Sequence, residues 1–186
     1  IGTKDVILFN IDVKSGKSSE RIVDILMRVF NEKRGYFGDV FWIAELEEYL
    51  DDKGIFTKFK EEFQKINGNK WEASRDHYSF VQDDILEALD KCNFQSRDAN
   101  KIMFEADGQN YLLTPEKFAK AIKKHCMSKG KDHQVIFLID EIGQYIGDNS
   151  QLMLNLQTVA EQLGTILKGK AWIIVTSQAD IETALK

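Results

Sequence analysis

An α/β fold, a partial parallel sheet carrying a large all-helical insertion, is the class this sequence predicts, on three observations. Short apolar runs rich in β-branched residues occupy positions 6–11, 135–139 and 171–175. Without helical spacing, runs of this length read as strands buried on both faces, the condition inside a parallel sheet. Between the first two runs the apolar period becomes helical, over residues 32–131. Strand, helix and strand from Val135 to Val175 then fit one right-handed parallel crossover. The expected division is residues 1–31 with 132–186 for the sheet-bearing core, and 32–131 for the insertion.

Composition sets outer limits on function. With 186 residues, 43% hydrophobic and 30% charged, the chain reads as an ordinary globular protein. A formal net charge of -5 argues against general affinity for nucleic acid, while leaving room for a local basic face. No apolar run approaches the roughly 20 residues a bilayer-crossing helix needs, and no signal-peptide pattern opens the sequence. Cys92 and Cys126 are the only cysteines, so no disulfide framework is expected and a cytoplasmic setting is. Neither belongs to a CxxC pair, and His77, His125 and His133 lack zinc-ligand spacing, so the sequence offers no metal site of its own. One proline, Pro115, favours a helix-rich chain. The absence of an initiating Met and the helical-looking stretch from Asp180 to Lys186 give the expectation of a piece of a longer polypeptide.

Taken in order, the first strand leads into Asp12-Val13-Lys14-Ser15 and then Gly16-Lys17-Ser18-Ser19, before an amphipathic helix carrying Ile22, Leu26 and Phe30. Strand, Gly-Lys-Ser and helix imitate a phosphate loop, but that motif requires glycine where Ile11 stands. Ser18 or Ser19 is therefore expected to cap the helix. In the insertion, Ile43, Leu46 and Leu50 predict a helix stopped at Gly54, and Phe56, Phe59 and Phe63 one stopped at Gly68. A long helix is expected through Tyr78, Val81, Ile85 and Leu89, then a shorter one after Ser96. Thr114-Pro115-Glu116 opens the last, carrying Phe118, Ile122 and Met127. The acidic run Glu45, Glu47, Glu48, Asp51, Asp52 reads as solvated surface. So does the lysine-rich helix around Lys120 and Lys124, unless it meets a partner or nucleic acid.

The candidate chemistry lies where residues 135–139 run into Asp140 and Glu141. Ligands of open α/β sheets bind beyond the carboxyl ends of strands. An apolar strand ending in two acids has the shape of a Walker B strand, whose first acid helps hold Mg²⁺ and whose second polarises water in many members. Gly147-Asp148-Asn149-Ser150 is a turn that can cap the next helix, which stops at Gly169. The following strand ends in Thr176-Ser177-Gln178, placed by the crossover at the same sheet edge as the acids. A short polar side chain there suits a sensor of water or γ-phosphate; otherwise the trio caps a following helix.

Residues 139–149, continuing through Leu152-Met153-Leu154-Asn155 and Ala171-Trp172-Ile173-Ile174-Val175-Thr176-Ser177-Gln178, resemble the Walker B region of the large BREX phage-defence P-loop ATPase, the BrxC/PglY type. Similarity extends to Ile11-Asp12-Val13-Lys14-Ser15 and, in the helical middle, to Glu45, Tyr49, Leu50 and Gln82-Asp83-Asp84-Ile85. The resemblance implies an AAA-like P-loop NTPase core using ATP and Mg²⁺. Asp140 would serve Mg²⁺ through water, Glu141 would activate water, and Thr176 or Ser177 would be the sensor, with Gln178 beside the nucleotide. It makes the Asp12-Val13-Lys14-Ser15 strand the one after the P-loop helix, so the phosphate loop is expected before residue 1 and the fragment alone is expected to be inactive. Other BREX proteins, DNA associated with their complex, and further copies of the parent are the implied partners, with no membrane. The competing expectation is a non-enzymatic interaction module whose helical insertion binds a partner protein.

Overall fold

The computed structural model describes residues 2–16, 20–94 and 112–177. It is a mixed α/β structure of two compact units: residues 1–30 with 113–186, and residues 31–112. Among the described residues no helix is long and apolar enough to cross a membrane.

The first unit is built on a three-stranded parallel sheet in the order β1 (Lys4–Asn10), β2 (Gln134–Asp140), β3 (Ala171–Val175). Asn10 pairs in register with Asp140, and Ile139 with Val175, so all three strands end together. The helix Ser150–Leu167 joins β2 to β3, as the crossover pattern predicts. Asn149 caps it, its side-chain oxygen accepting from the amides of Gln151 at 3.1 Å and Leu152 at 3.2 Å. Lys168 and Gly169 take positive φ at its end, where glycine carries no steric penalty.

Two expectations for the strands need correction. The chain turns one residue earlier than expected: Asn10 accepts from the Asp12 and Val13 amides and starts a helical turn, α1 (Ile11–Lys14), with Ile11 fully buried. Asp12-Val13-Lys14 is therefore helical rather than part of a strand, and the amphipathic helix expected next follows as α2 (Ile22–Arg34). Nor is the sheet buried on both faces. Ile7, Phe9, Val135, Phe137 and Ile139 are buried, Phe137 meeting Phe118 of the Pro115–Lys129 helix at 5.7 Å. The opposite face aligns Val6, Ile136 and Trp172 in one row and Leu8, Leu138 and Ile174 in the next. Of these, Leu8 is 71% exposed and Trp172 53%. Apolar residues on both faces hide the period-two alternation that marks a one-sided sheet, so the sequence read as doubly buried.

The helix Pro115–Lys129 starts as predicted, with Thr114 Oγ1 accepting from the Lys117 amide at 3.2 Å and Pro115 in the first turn. It was expected in the insertion, but it packs on β2 and on the Ser150–Leu167 helix and falls in the first unit. Phe118 and Ile122 are buried there, whereas Met127 is exposed.

The second unit contains helices α3 (Phe41–Asp52), α4 (Phe56–Asn67), α5 (Trp71–Ser74), a 3₁₀ segment (Arg75–Phe80) and α6 (Gln82–Lys91). Gly68, at φ 86°, ends α4 as predicted. Phe59 and Phe63 each meet Trp71 edge to face at 5.2 Å, an aromatic arrangement worth about 0.5–1.5 kcal/mol per pair beyond burial. The single long helix expected through Tyr78 is instead interrupted at Val81, at φ -122° and ψ 23°: Tyr78 lies in the 3₁₀ segment, and the α-helix starts only at Gln82. Tertiary contacts explain the break, since Trp71 and Arg75 must reach Glu47 while Tyr78 stacks edgewise on Trp42 at 4.9 Å.

The acidic run is a solvated surface only in part: Glu45, Asp51 and Asp52 are exposed, Glu48 is half-buried and Glu47 is buried. Glu47 is 0% exposed, and its carboxylate accepts from the Phe37 amide at 2.6 Å, Trp71 Nε1 at 2.6 Å and Arg75 at 2.8 Å. Glu48 pairs with Arg34 at 3.0 Å, and Asp51 accepts from the Tyr36 hydroxyl at 2.9 Å. Burial, then the Asp51 carboxylate, push the Tyr36 hydroxyl above its ordinary pKa.

Candidate functional site

The carboxyl edge of the sheet carries Asp140, Glu141, Thr176 and Ser177 of the residues that the sequence singled out. Asp140 is the last residue of β2 and is exposed. Thr176 follows β3 directly and is held at both backbone ends. Its amide donates to the Ile139 carbonyl at 2.9 Å, and its carbonyl accepts from the Ile142 amide at 3.1 Å. With the backbone fixed, the Thr176 hydroxyl donates to Asp140 Oδ1. A neutral donor thus orients a charged acceptor, and among the described residues no cation pairs with Asp140.

Glu141 takes the left-handed conformation, φ 63° and ψ 26°, at the start of the short helix α8 (Ile142–Ile146), counting Pro115–Lys129 as α7. That geometry costs a residue other than glycine about 1–2 kcal/mol. Asp140 still belongs to β2, so the two acids have different backbone settings. The Glu141 side chain is half-buried and makes no capping hydrogen bond. Ser177 is half-buried one residue beyond Thr176. Gln178 lies outside the described residues, as do Lys17, Ser18, Ser19, the helix expected after Ser96 and the one expected from Asp180.

This edge fits a hydrated Mg²⁺ in its donor chemistry. Mg²⁺ retains several waters and takes only one or two protein carboxylates alongside substrate phosphates. Asp140 offers an exposed carboxylate whose orientation the Thr176 hydroxyl sets. The Gly16 region offers less. The Gly16 amide already donates to Glu20 Oε2 at 2.7 Å, and Glu20 is paired with Arg28 at 2.5 Å. An amide engaged by an internal carboxylate is not presented to a phosphate.

Sequence reading missed Asn10, which the parallel register sets beside Asp140. Its signal was its place directly before a short turn with Asp12, a cap position. The reading also missed a cluster of Asp5, His125 and His133 at the opposite end of the strands. The lysine-rich helix contributes Lys123, with Lys131, Lys168 and Lys170, to an open groove of about 540 Å³ beside Met127. Lys120 pairs with Glu116 at 2.6 Å.

No protein-family model matches this chain, and no solved structure matches it significantly.

Proposed function

We propose that the chain forms the acid-and-sensor edge of a P-loop nucleoside triphosphatase of the BREX phage-defence type. The single observation that supports this most is the Thr176 hydroxyl on Asp140, across adjacent parallel strands that end together. In this reading Asp140 holds a hydrated Mg²⁺, Glu141 polarises water, and Thr176 keeps the Asp140 carboxylate turned toward the ligand. Ser177 and Gln178 flank the same nucleotide. Bound Mg²⁺-ATP supplies the phosphoanhydride, and the phosphate loop comes from elsewhere in the polypeptide. Turnover would drive assembly or remodelling of a restriction complex on DNA, with other proteins of that system and further copies of the parent as partners, in the cytoplasm.

The test is Glu141→Gln in the full polypeptide. Removing a general base costs about 10²–10⁴ in rate, so turnover should fall at least about a hundredfold while nucleotide binding persists. Unchanged turnover would remove Glu141 from its role.

A second reading, a non-enzymatic interaction module, draws on Phe80 of the helical unit, which is 87% exposed. An isolated exposed aromatic is a modest signal, because single apolar residues occur on most surfaces. If the full polypeptide neither binds nor hydrolyses ATP and Phe80→Ala abolishes capture of a partner, this reading replaces the first.

A further inference from the structure

The amino end of the same sheet carries a separate constellation. Asp5 lies near the start of β1, His133 stands one residue before β2, and His125 comes from the C-terminal half of α7. The parallel register, Asp5 opposite Val135, brings the first two together, and α7 packing on β2 delivers the third. Asp5 Oδ2 lies 2.7 Å from His125 Nε2 and 3.2 Å from His133 Nε2. One donor atom from each residue falls within 4.8 Å of the others. His125 and His133 are 7% and 3% exposed, while the Asp5 side chain is 28% exposed and gives access from solvent.

We propose that Asp5, His125 and His133 form a three-ligand site for a divalent transition ion, Zn²⁺ foremost, with water completing a tetrahedral shell. The donor set is two imidazoles and one carboxylate, which this ion class prefers and which hard Mg²⁺ or Ca²⁺ does not. A tetrahedral ion with bonds of about 2.0 Å separates its ligand atoms by about 3.3 Å. The two contacts to Asp5 are already near that spacing. The outer shell is also in place: His133 Nδ1 lies 2.7 Å from Thr3 Oγ1, a hydroxyl that can accept from the imidazole N–H when Nε2 is occupied. His125 is braced edge-on by Phe30 at 5.4 Å and His133 at 5.5 Å. Metal-free, both histidines hydrogen-bond to the Asp5 carboxylate, so the site can exist empty without stranding a buried charge.

Strands of seven residues put this site about 20 Å from Asp140. It therefore stands apart from the nucleotide proposal, and its bound ion would tie β1, β2 and α7 together rather than enter that chemistry.

The experiment uses the full chain, free of any histidine tag and stripped with chelator, titrated with Zn²⁺ by calorimetry and with Co²⁺ by visible absorption. One ion per chain, a dissociation constant in the micromolar range or below, tetrahedral Co²⁺ bands and a higher melting temperature are expected. His133→Gln and Asp5→Asn should each weaken Zn²⁺ at least about tenfold, and Thr3→Val by about ten- to a hundredfold, the range for an outer-shell partner. Absence of saturable Zn²⁺ binding and of Co²⁺ bands in the unaltered chain would overturn the proposal without any variant having to fold. So would binding that survives both ligand substitutions in variants whose circular dichroism is native.

Discussion

One carboxylate in the helical unit and one at the sheet edge are in opposite settings. Glu47 is completely buried and accepts from a backbone amide, an indole and a guanidinium. Asp140 is exposed and its described partner is one hydroxyl. In the first case three donors replace the water lost on burial, and the burial itself keeps any ligand from the carboxylate. In the second, solvent still reaches the carboxylate, and the single donor fixes its direction without cancelling its charge. The difference teaches that in this protein the heavily bonded acid holds structure together, while the lightly bonded one is available for chemistry.

Substitutions can break or sharpen that contrast. The largest effect is expected from Glu47→Ala, which leaves Arg75 and the Trp71 N–H without their acceptor. Removing one partner of a buried ion pair costs about 3–5 kcal/mol, to be read as a lower denaturation midpoint. A loss below about 1 kcal/mol would mean that water reaches the site. Phe137→Ala, at the centre of the sheet's buried face, should destabilise by a comparable 3–5 kcal/mol or so. Thr176→Val removes one exposed hydrogen bond and should cost about 0.5–1.5 kcal/mol. A larger loss would make Thr176 a structural brace rather than an orienting group. Smallest is Asp140→Asn, expected within about 0.5 kcal/mol of the unaltered chain because the site is exposed. A Glu47-sized penalty there would abolish the contrast.

The sequence carried part of this account. Parallel strands, the crossover and the placing of Thr176 at the same sheet edge as Asp140 were legible because an apolar run and its polar end survive in one dimension. Caps were legible too, at Thr114 by residue and in the Gly147-Asp148-Asn149-Ser150 turn by position, since they depend on neighbours in sequence. Glu47 was legible but misread. Ile43, Leu46, Glu47 and Leu50 share one helical stripe, and the acid on that stripe is the buried one. The Asp5, His125 and His133 cluster was not legible, because Asp5 lies 120 and 128 residues from its partners. Only strand register and helix docking bring such residues together, and neither leaves a spacing in the chain. The exposed sheet face was hidden for a different reason, as Leu8 and Trp172 are apolar although solvent reaches them.

The central claim is that Asp140 directs a Mg²⁺-bound nucleotide at the carboxyl edge of the sheet. Its most direct test is the Mg²⁺ dependence of ATP binding by the full polypeptide, measured by calorimetry for the natural sequence and for Asp140→Asn. Mg²⁺ should strengthen ATP binding in the natural protein, and Asp140→Asn should remove most of that gain while the fold is retained. An equal Mg²⁺ effect in both proteins, or no ATP binding in either, would contradict the claim.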